Sequence, residues 1–349
     1  MKLIFVIILA SLAHLTLLGK QPDVVAYNRL INTAEISICN DNLKEALRNF
    51  RLAYEILGDA MPSRQLRNYF MVSAYLDQPD DETKILTELK RREPYIQWFD
   101  YIVKTYFPQQ STQLKQLFYE RLTNINPSVD SVYYKVLDSL LSVDQKTNRY
   151  LRSLNSGIFM TSTSDSFHKL TDMNMHCLKT LFERKFPSDY KVGSLPDYQV
   201  ILIHNAQGYQ SRILDSCLFI AMQSGNLDVI EFEEYLENYQ RSTRNFKSVF
   251  VGGIAKDVNV FPFDFIVLND SLFEFKVADS TVEKCNKNRK AFPGFCSVED
   301  LRTKIIYEYD HPQYTFTMRD YPFDVTESAP ELPASFRKRL RYIKTKNKK

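Results

Sequence analysis

Apolar and small residues recur at helical spacing from Asp23 to about Arg92, and this pattern constrains the fold more than any other feature of the chain. Polar turns at Asp41-Asn42 and at Gln78 to Asp81 divide the stretch into segments long enough for helices. Paired helices of this kind bury each other's apolar faces. The stretch therefore predicts two helical hairpins. Such stacks usually need about three units or a cap to be stable, so the helices that follow should complete them.

The first predicted hairpin, Val25 to Ile56, resembles a tetratricopeptide repeat. The large, small and aromatic packing positions of that motif have counterparts at Leu30, Ala34, Ala46, Phe50 and Ala53. The second hairpin, Leu66 to Lys90, is more degenerate and keeps Tyr69, Ser73 and Tyr75. The resemblance implies a short helical-repeat module that presents a surface to a protein partner.

The rest of the chain predicts further helices and, late in the sequence, short strands. Helices are expected at 113–122, 131–150, 167–186, 197–237 (broken at Gly225-Asn226) and 297–307, with a connector at 153–166. Short β-branched and aromatic runs predict strands at 248–251, 258–263, 265–268, 272–277 and 315–318. The expected fold is mainly α: tetratricopeptide-like helical hairpins followed by an α-rich α+β domain with a small β element.

An aromatic-rich segment, Pro94 to Gln109, follows the hairpins. One interpretation is core, where the helical stack meets the next domain. The other is a peptide-binding groove, because aromatic side chains are common anchors at interfaces.

The N-terminus has the pattern of a secretory signal peptide. Lys2 precedes an apolar run that begins at Leu3 and closes at Gly19. The alternative is a retained membrane anchor, although a spanning helix needs roughly 20 apolar residues. We expect a signal peptide at 1–19 and an exported protein, periplasmic or extracellular. Behind it we expect a tetratricopeptide-like domain at 20–128, an α-rich domain of unknown function at 129–325 and a basic tail at 326–349.

Short polar motifs punctuate the predicted helices between residues 130 and 305. They are Leu137 to Arg149, Asp172, Lys185-Phe186-Pro187 with Gly193, Ile201 to His204, Ser224 to Leu227 and Asn286 to Lys304. Their order and spacing resemble an uncharacterised family of bacterial exported proteins in which helical repeats precede a domain of unknown function. The chain departs from that family at Arg149, Lys185 and Ile203. The resemblance implies a fold and supplies no reaction.

Four residues are candidates for a catalytic site: Asp144, Gln145, Arg149 and His204. The first three lie within about a turn and a half of one helix, where an intrahelical ion pair and a structural cap are the alternative role. His204 follows the apolar run from Val200 to Ile203, so it is either a buried core histidine or a general base oriented by Asp144 or Asp215.

Composition and motifs argue against several classes of enzyme. With only 9 Gly beside 24 Phe and 21 Tyr, glycine-loop nucleotide folds are disfavoured, and no cofactor is expected. His168, Asp172 and His176 share one side of a helix, but the two histidines are about 12 Å apart, too far for one ion, so no metal site is expected. Ser166 to Lys169 matches the S-x-x-K motif without the S-D-N and K-T-G elements that its chemistry needs.

Five cysteines are too few for a disulfide framework in 349 residues. Cys285 and Cys296 form the best candidate pair. The favoured alternative leaves both unpaired and makes Cys39, Cys177 and Cys217 small buried residues.

The C-terminal segment Ser335 to Lys349 carries eight basic residues and no acid, whereas the net charge of the whole chain is +3. It is either a solvated tail or a contact with an anionic surface such as lipid headgroups or polysaccharide. Nucleic acid is not expected as a partner of an exported protein. Together these features favour an exported protein-interaction or scaffold module; the alternative is a hydrolase-like enzyme built on the four candidate residues.

Overall fold

The computed structural model describes residues 22–92, 97–122, 125, 130–153, 161–184, 186, 214–242, 248–251, 254–257, 259–317, 323–324 and 338–345. Over these residues the chain is mainly helical with a small β element, so the predicted fold class is confirmed. The predicted signal peptide at 1–19 lies outside the described residues. Within the part that is described, no helix combines the length and the apolar character needed to cross a membrane.

Two helical hairpins begin the described chain. Helix α1 (Val24–Cys39) packs on α2 (Leu43–Leu57), and α3 (Ser63–Tyr75) packs on α4 (Pro79–Arg92). Asp23 caps α1 by accepting the Ala26 N–H at 2.9 Å, and Asn42 caps α2 by accepting the Glu45 N–H at 3.3 Å. Asp41 and Asp77 adopt positive φ in the turns within the two hairpins.

The small residues predicted to pack the first hairpin do face its core. Ala34, Ala46, Phe50 and Ala53 are fully buried, and Leu30 is partly buried. Small side chains let helix axes approach closely, which explains the period that made this stretch recognisable. In the second hairpin Tyr69 and Ser73 are buried, but Tyr75 is exposed, so Tyr75 does not occupy a packing position.

Helix α5 (Gln97–Tyr106), helix α6 (Ser111–Gln116) and a π-helical turn (Leu117–Arg121) complete the stack. Phe99, Ile102, Val103 and Phe107 are buried in the same core as α1 to α4. The core interpretation of the aromatic segment is therefore confirmed for these residues. Tyr101 of the same segment is exposed instead.

The middle of the chain forms a second core. Helices α7 (Ser131–Ser153), α8 (Thr161–Arg184), α9 (Asp215–Gln223) and α10 (Val229–Ser242) supply most of its side chains. Helix α8 begins within the connector predicted at 153–166. The predicted break at Gly225-Asn226 is confirmed, and Gly225 has the positive φ of +75° that favours glycine.

The β element consists of a hairpin and a small sheet. Strands β1 (Ser248–Val251) and β2 (Ile254–Asp257) pair antiparallel. In the sheet, β3 (Phe265–Leu268), β4 (Ser271–Phe275), β5 (Phe323–Asp324) and β6 (Leu340–Thr345) lie in the order β5-β3-β4-β6. Helices α11 (Asp279–Arg289) and α12 (Val298–Asp310) pack on one face of this sheet.

Two predicted strands are wrong. Residues 259–263 are irregular, and their Phe261 and Phe263 are buried in the core that α11 and α12 share with the sheet. Residues 315–317 are also outside the sheet, since their backbone groups bond to side chains of the helical stack. Met318 lies outside the described residues.

The basic C-terminal segment is not simply a solvated tail. Strand β6 pairs with β4 along its length. The Arg341 guanidinium bonds to the buried Glu274 carboxylate at 2.5 Å, and Lys344 pairs with Asp310 at 2.6 Å. Of the eight basic side chains, Arg341 therefore ties β6 to β4, and Lys344 ties β6 to α12.

The first and the last of the described helices are in contact. Helix α12 packs on α1, and Tyr314 and Phe316 are buried in the core of the helical stack. The boundary predicted near residue 128 therefore does not separate the first core from the C-terminal half of the chain.

Candidate functional site

The residues predicted to form a catalytic site are described only in part. Asp144 lies on the buried side of α7, and Gln145 beside it is partly exposed. Arg149 belongs to the same helix, but its side chain and the whole of His204 lie outside the described residues. Convergence of the four on one pocket stays a prediction.

Where the structure describes them, the residues weighed as metal ligands or as a disulfide form neither kind of site. His176 is exposed on α8. Among the residues that the structure describes, no group of three His, Cys, Asp or Glu side chains is placed to hold a metal ion. All five cysteines are free thiols, including Cys285 and Cys296, and Cys177 is exposed, contrary to its predicted burial.

The structure instead gathers charged side chains where the first and last helices meet. We call this set the buried charge cluster; its members are Glu35 of α1, Arg64 of α3, Asp228 before α10 and Lys304 of α12. All four are buried. They come from four elements spread over most of the sequence.

Arg64 is the centre of the cluster. Its Nη1 donates to Glu35 Oε1 at 2.9 Å, and its Nε donates to Asp228 Oδ2 at 3.0 Å. The same Nη1 also donates to the backbone oxygens of Thr315 and Phe316, at 3.1 and 2.9 Å. One guanidinium thus connects the first hairpin, the start of α10 and the segment that follows α12.

Glu35 is shared by two cations. Its second oxygen, Oε2, accepts from Lys304 Nζ at 2.6 Å. Glu35 and Lys304 expose only 1% and 2% of their side chains. A carboxylate this deeply buried is tolerated because two positive groups compensate for its lost hydration.

Arg64, Asp228 and Lys304 keep their ordinary ionised forms. Burial by itself would lower the pKa of Arg64, but the charges of Asp228 and Glu35 outweigh it and raise that pKa. Burial would raise the pKa of Asp228, yet Arg64 holds it below its usual value. Burial would likewise lower the pKa of Lys304, and Glu35 raises it.

A second buried ion pair lies nearby. Arg289 of α11 donates from Nη1 and Nη2 to the two carboxylate oxygens of Glu233 on α10, at 2.6 and 3.0 Å. Such a bidentate pair fixes direction as well as distance. Arg289 also donates to the Cys296 carbonyl at 2.5 Å and lies 3.5 Å from the Cys296 Sγ.

A narrow crevice runs between the two sets of charges. Its empty volume is about 290 Å³ including its mouth, and its lining includes Asn32, Glu35, Arg64, Glu233, Cys296 and Lys304. Gly294 closes one side with φ +93°, where a Cβ would lie 2.5 Å from Asn28 Nδ2. Only glycine permits this approach of the Pro293-Gly294 turn to α1.

The cluster is built to hold elements together. Every carboxylate in it is matched by a cation, as a structural network of ion pairs requires. The arrangement fixes α1, α3, α10 and α12 relative to one another. Helices held rigidly in this way present any surface that they carry in a fixed shape.

The helical stack carries such a surface. We call it the tyrosine surface; it consists of Tyr75, Tyr101, Tyr106 and Tyr119. Tyr101 is 56% exposed. The rings of Tyr101 and Tyr106 are 6.4 Å apart and nearly perpendicular.

Buried aromatic rings support these tyrosines from below. Tyr75 contacts Phe107 with ring centroids 4.8 Å apart, and Tyr119 contacts Phe118 at 5.1 Å. The Tyr119 hydroxyl donates to Asp100 at 3.0 Å. The rings are therefore held in place while their outer faces stay open to solvent.

No family model, no curated protein sequence and no solved structure matches the chain. The resemblances to tetratricopeptide repeats and to an exported bacterial family therefore stay predictions.

Sequence reasoning missed both features. The buried charge cluster joins residues as far apart as Glu35 and Lys304, and no local pattern connects them. A weak signal was available, because Glu35 and Lys304 interrupt the apolar faces of otherwise amphipathic helices. Two members of the tyrosine surface, Tyr101 and Tyr106, lie within the segment 94–109, for which core and groove were both considered.

Proposed function

We propose that the chain is an exported protein-interaction module whose helical stack presents the tyrosine surface to a protein partner. The observation that carries the proposal is the exposure of several tyrosines on adjoining helices. Tyrosine is enriched at the centres of protein interfaces because it offers a large rigid ring and a polar hydroxyl at low entropic cost.

Preorganisation supports the same conclusion. Tyr75 and Tyr119 contact the buried rings of Phe107 and Phe118, and Tyr106 packs against the same core. Side chains that are already ordered lose little entropy on binding, so more of the contact energy appears as affinity. The buried charge cluster supports the stack that carries them by joining α1 and α3 to the C-terminal half.

The export part of the proposal comes from the sequence of residues 1–19 and has its own test. N-terminal sequencing of the mature protein should give a start near Lys20 or Gln21. An intact Met1 in a soluble cytoplasmic fraction would contradict export and would leave the interaction proposal to its own experiment.

The interaction is tested by photocrosslinking in cells that make the protein. A photoreactive amino acid at position 101 should give a discrete adduct with one other protein. The same amino acid at position 25, where Val25 is exposed on α1, is the matched control and should give none.

A Tyr119→Ala substitution in the crosslinking protein should weaken the adduct roughly ten-fold, the usual scale for an interface tyrosine. Tyr342→Ala is a fitting control, because Tyr342 is as exposed as Tyr101 but lies on the sheet. Equal adducts from positions 101 and 25, or no adduct at all, would overturn the proposed interaction surface.

A further inference from the structure

The four-stranded sheet has one face that its packed helices do not use. Along β3, Phe265 and Val267 point to α11 and α12, whereas Ile266 and Leu268 point the other way. Along β4, Phe273 and Phe275 share that opposite face. The two-residue alternation of a strand produces this segregation, and we call the second face the outer sheet face.

Strand β6 extends the outer sheet face with Leu340 and Tyr342. The Tyr342 ring contacts Phe273 across the strands at 5.8 Å. Tyr342 is 56% exposed, Leu268, Phe273 and Phe275 are each partly exposed, and Ile266 and Leu340 are buried. The face therefore offers aliphatic and aromatic side chains to its surroundings instead of the polar ones expected on a solvated face.

Positive charge borders this apolar face. Lys338 and Arg339 precede β6 and are exposed, and the Arg339 guanidinium lies 5.6 Å from the centre of the Phe275 ring. Lys276 follows β4 at the same end of the sheet and donates to the Lys338 carbonyl at 3.2 Å. From Ser335 to Lys349 the chain carries eight basic residues and no acid.

We propose that the outer sheet face and its basic border dock on the surface of a lipid bilayer that contains anionic headgroups. An apolar and aromatic patch beside lysine and arginine matches the bilayer interface, where rings lie at the level of the headgroups and cations meet anionic lipids. This surface is distinct from the tyrosine surface, so the two proposals stand or fall separately.

The geometry favours a bilayer over single-stranded nucleic acid. Base stacking needs an open ring face. Arg339 lies over the Phe275 ring, and Phe273 and Tyr342 meet at 72°, edge to face. A bilayer needs no open ring face, because aliphatic and aromatic side chains contribute by burial alone.

The proposal is tested by vesicle sedimentation of the full chain. Vesicles of three parts phosphatidylcholine to one part phosphatidylglycerol should bind the protein, and pure phosphatidylcholine vesicles should bind it at least ten-fold more weakly. Raising the salt concentration should weaken the binding, since exposed charges are screened.

Variants identify the surface. The double change Lys338→Glu and Arg339→Glu should weaken binding at least ten-fold, at about five-fold for each lost cation. Tyr342→Ala should weaken it several-fold, while Tyr342→Phe keeps the ring and should bind as the wild type does. Tyr101→Ala is the matched control for an equally exposed tyrosine elsewhere and should not change binding.

Circular dichroism shows whether each variant is folded. Equal binding by the wild type and the charge-reversed variant, or equal binding to neutral and anionic vesicles, would overturn the proposal. Tighter binding to polyuridylate than to the anionic vesicles would overturn it in favour of nucleic acid, and tighter binding to heparin in favour of an anionic polysaccharide.

Discussion

Asn68 holds both backbone groups of Thr315. Its Nδ2 donates to the Thr315 carbonyl at 2.7 Å, and its Oδ1 accepts from the Thr315 N–H at 2.9 Å. One side chain of α3 thus bonds to the extended segment after α12 as a neighbouring strand would. Together with Arg64 it ties residues 314–317 to the helical stack, where Tyr314 and Phe316 are buried.

Asn68→Ala should lower the free energy of unfolding by about 1 to 3 kcal/mol, because the partly buried Thr315 N–H loses its partner and the Thr315 carbonyl keeps only Arg64. Thr315→Ala is the control. The bonds go to the backbone of residue 315, so this variant should lose much less. Denaturant unfolding of both variants checks the prediction, and equal losses would contradict it.

Glu35→Gln should lower the free energy of unfolding more than Lys304→Met does, although the two residues form one ion pair. Removing the Lys304 charge leaves Glu35 paired with Arg64 at 2.9 Å. Removing the Glu35 charge leaves the Lys304 ammonium buried without that carboxylate, a situation that typically costs about 3 to 5 kcal/mol. Urea unfolding of the two variants decides the order, and a larger loss for Lys304→Met would show that Arg64 does not compensate.

Gly294→Ala should destabilise the protein more than Gly58→Ala does. Both glycines have positive φ, at +93° and +56°, so both substitutions carry backbone strain of about 1 to 2 kcal/mol. Only at Gly294 would the added Cβ also meet a neighbour, the Asn28 Nδ2 at 2.5 Å.

Thermal melts of these two variants test the difference. A third variant that combines Gly294→Ala with Asn28→Ser should recover part of the loss, because the shorter side chain relieves the contact. Equal melting temperatures for the two glycine variants would contradict the close approach seen at Gly294.

Glu308 should make stability depend on pH. Burial raises the pKa of its carboxyl from 4.5 to about 7, although the Phe316 and Thr317 N–H groups and Arg64 oppose the rise. A carboxyl whose pKa is higher in the folded state contributes stability below pH 4.5, and this contribution is lost as the pH rises through 7. The change amounts to about 3 kcal/mol.

The measurement compares the wild type with Glu308→Gln between pH 4.5 and 8. The variant keeps an oxygen that can accept from residues 316 and 317 but has no titrating proton. The stability of the wild type relative to the variant should fall over this range. Glu82 also has a pKa of about 7, but it is present in both proteins and cancels. A constant difference would contradict the prediction.

Local sequence patterns predicted the helices and the helix cap whose formation depends on residues close together in the sequence. The period of small and apolar residues located α1 to α4, and the Ser297 hydroxyl does cap α12 by accepting the Asp300 N–H at 3.0 Å. The pattern failed where a long-range contact decides the structure. Residues 259–263 have the composition of a strand, yet Phe261 and Phe263 are buried under two helices that come later in the sequence.

The basic C-terminal segment is a second example in which a contact between residues distant in the sequence decides the structure. Its charge alone favoured a solvated tail, but Leu340 and Tyr342 alternate with Arg341 in a way that suits a strand beside β4. The buried Glu274 that attracts Arg341 lies 67 residues earlier. Of the four candidate catalytic residues, the structure describes the side chains of two: Asp144 is buried and Gln145 is partly exposed.

The pairing of Glu35 with Lys304, 269 positions apart, has a kinetic consequence. A ribosome adds about 5 to 20 residues each second, so Glu35 is made roughly 15 to 50 s before its partner exists. Until then, closing the first hairpins into their final core would bury a carboxylate that has only part of its compensation. The N-terminal helices should therefore stay loosely assembled on the nascent chain and lock only after α12 has been released.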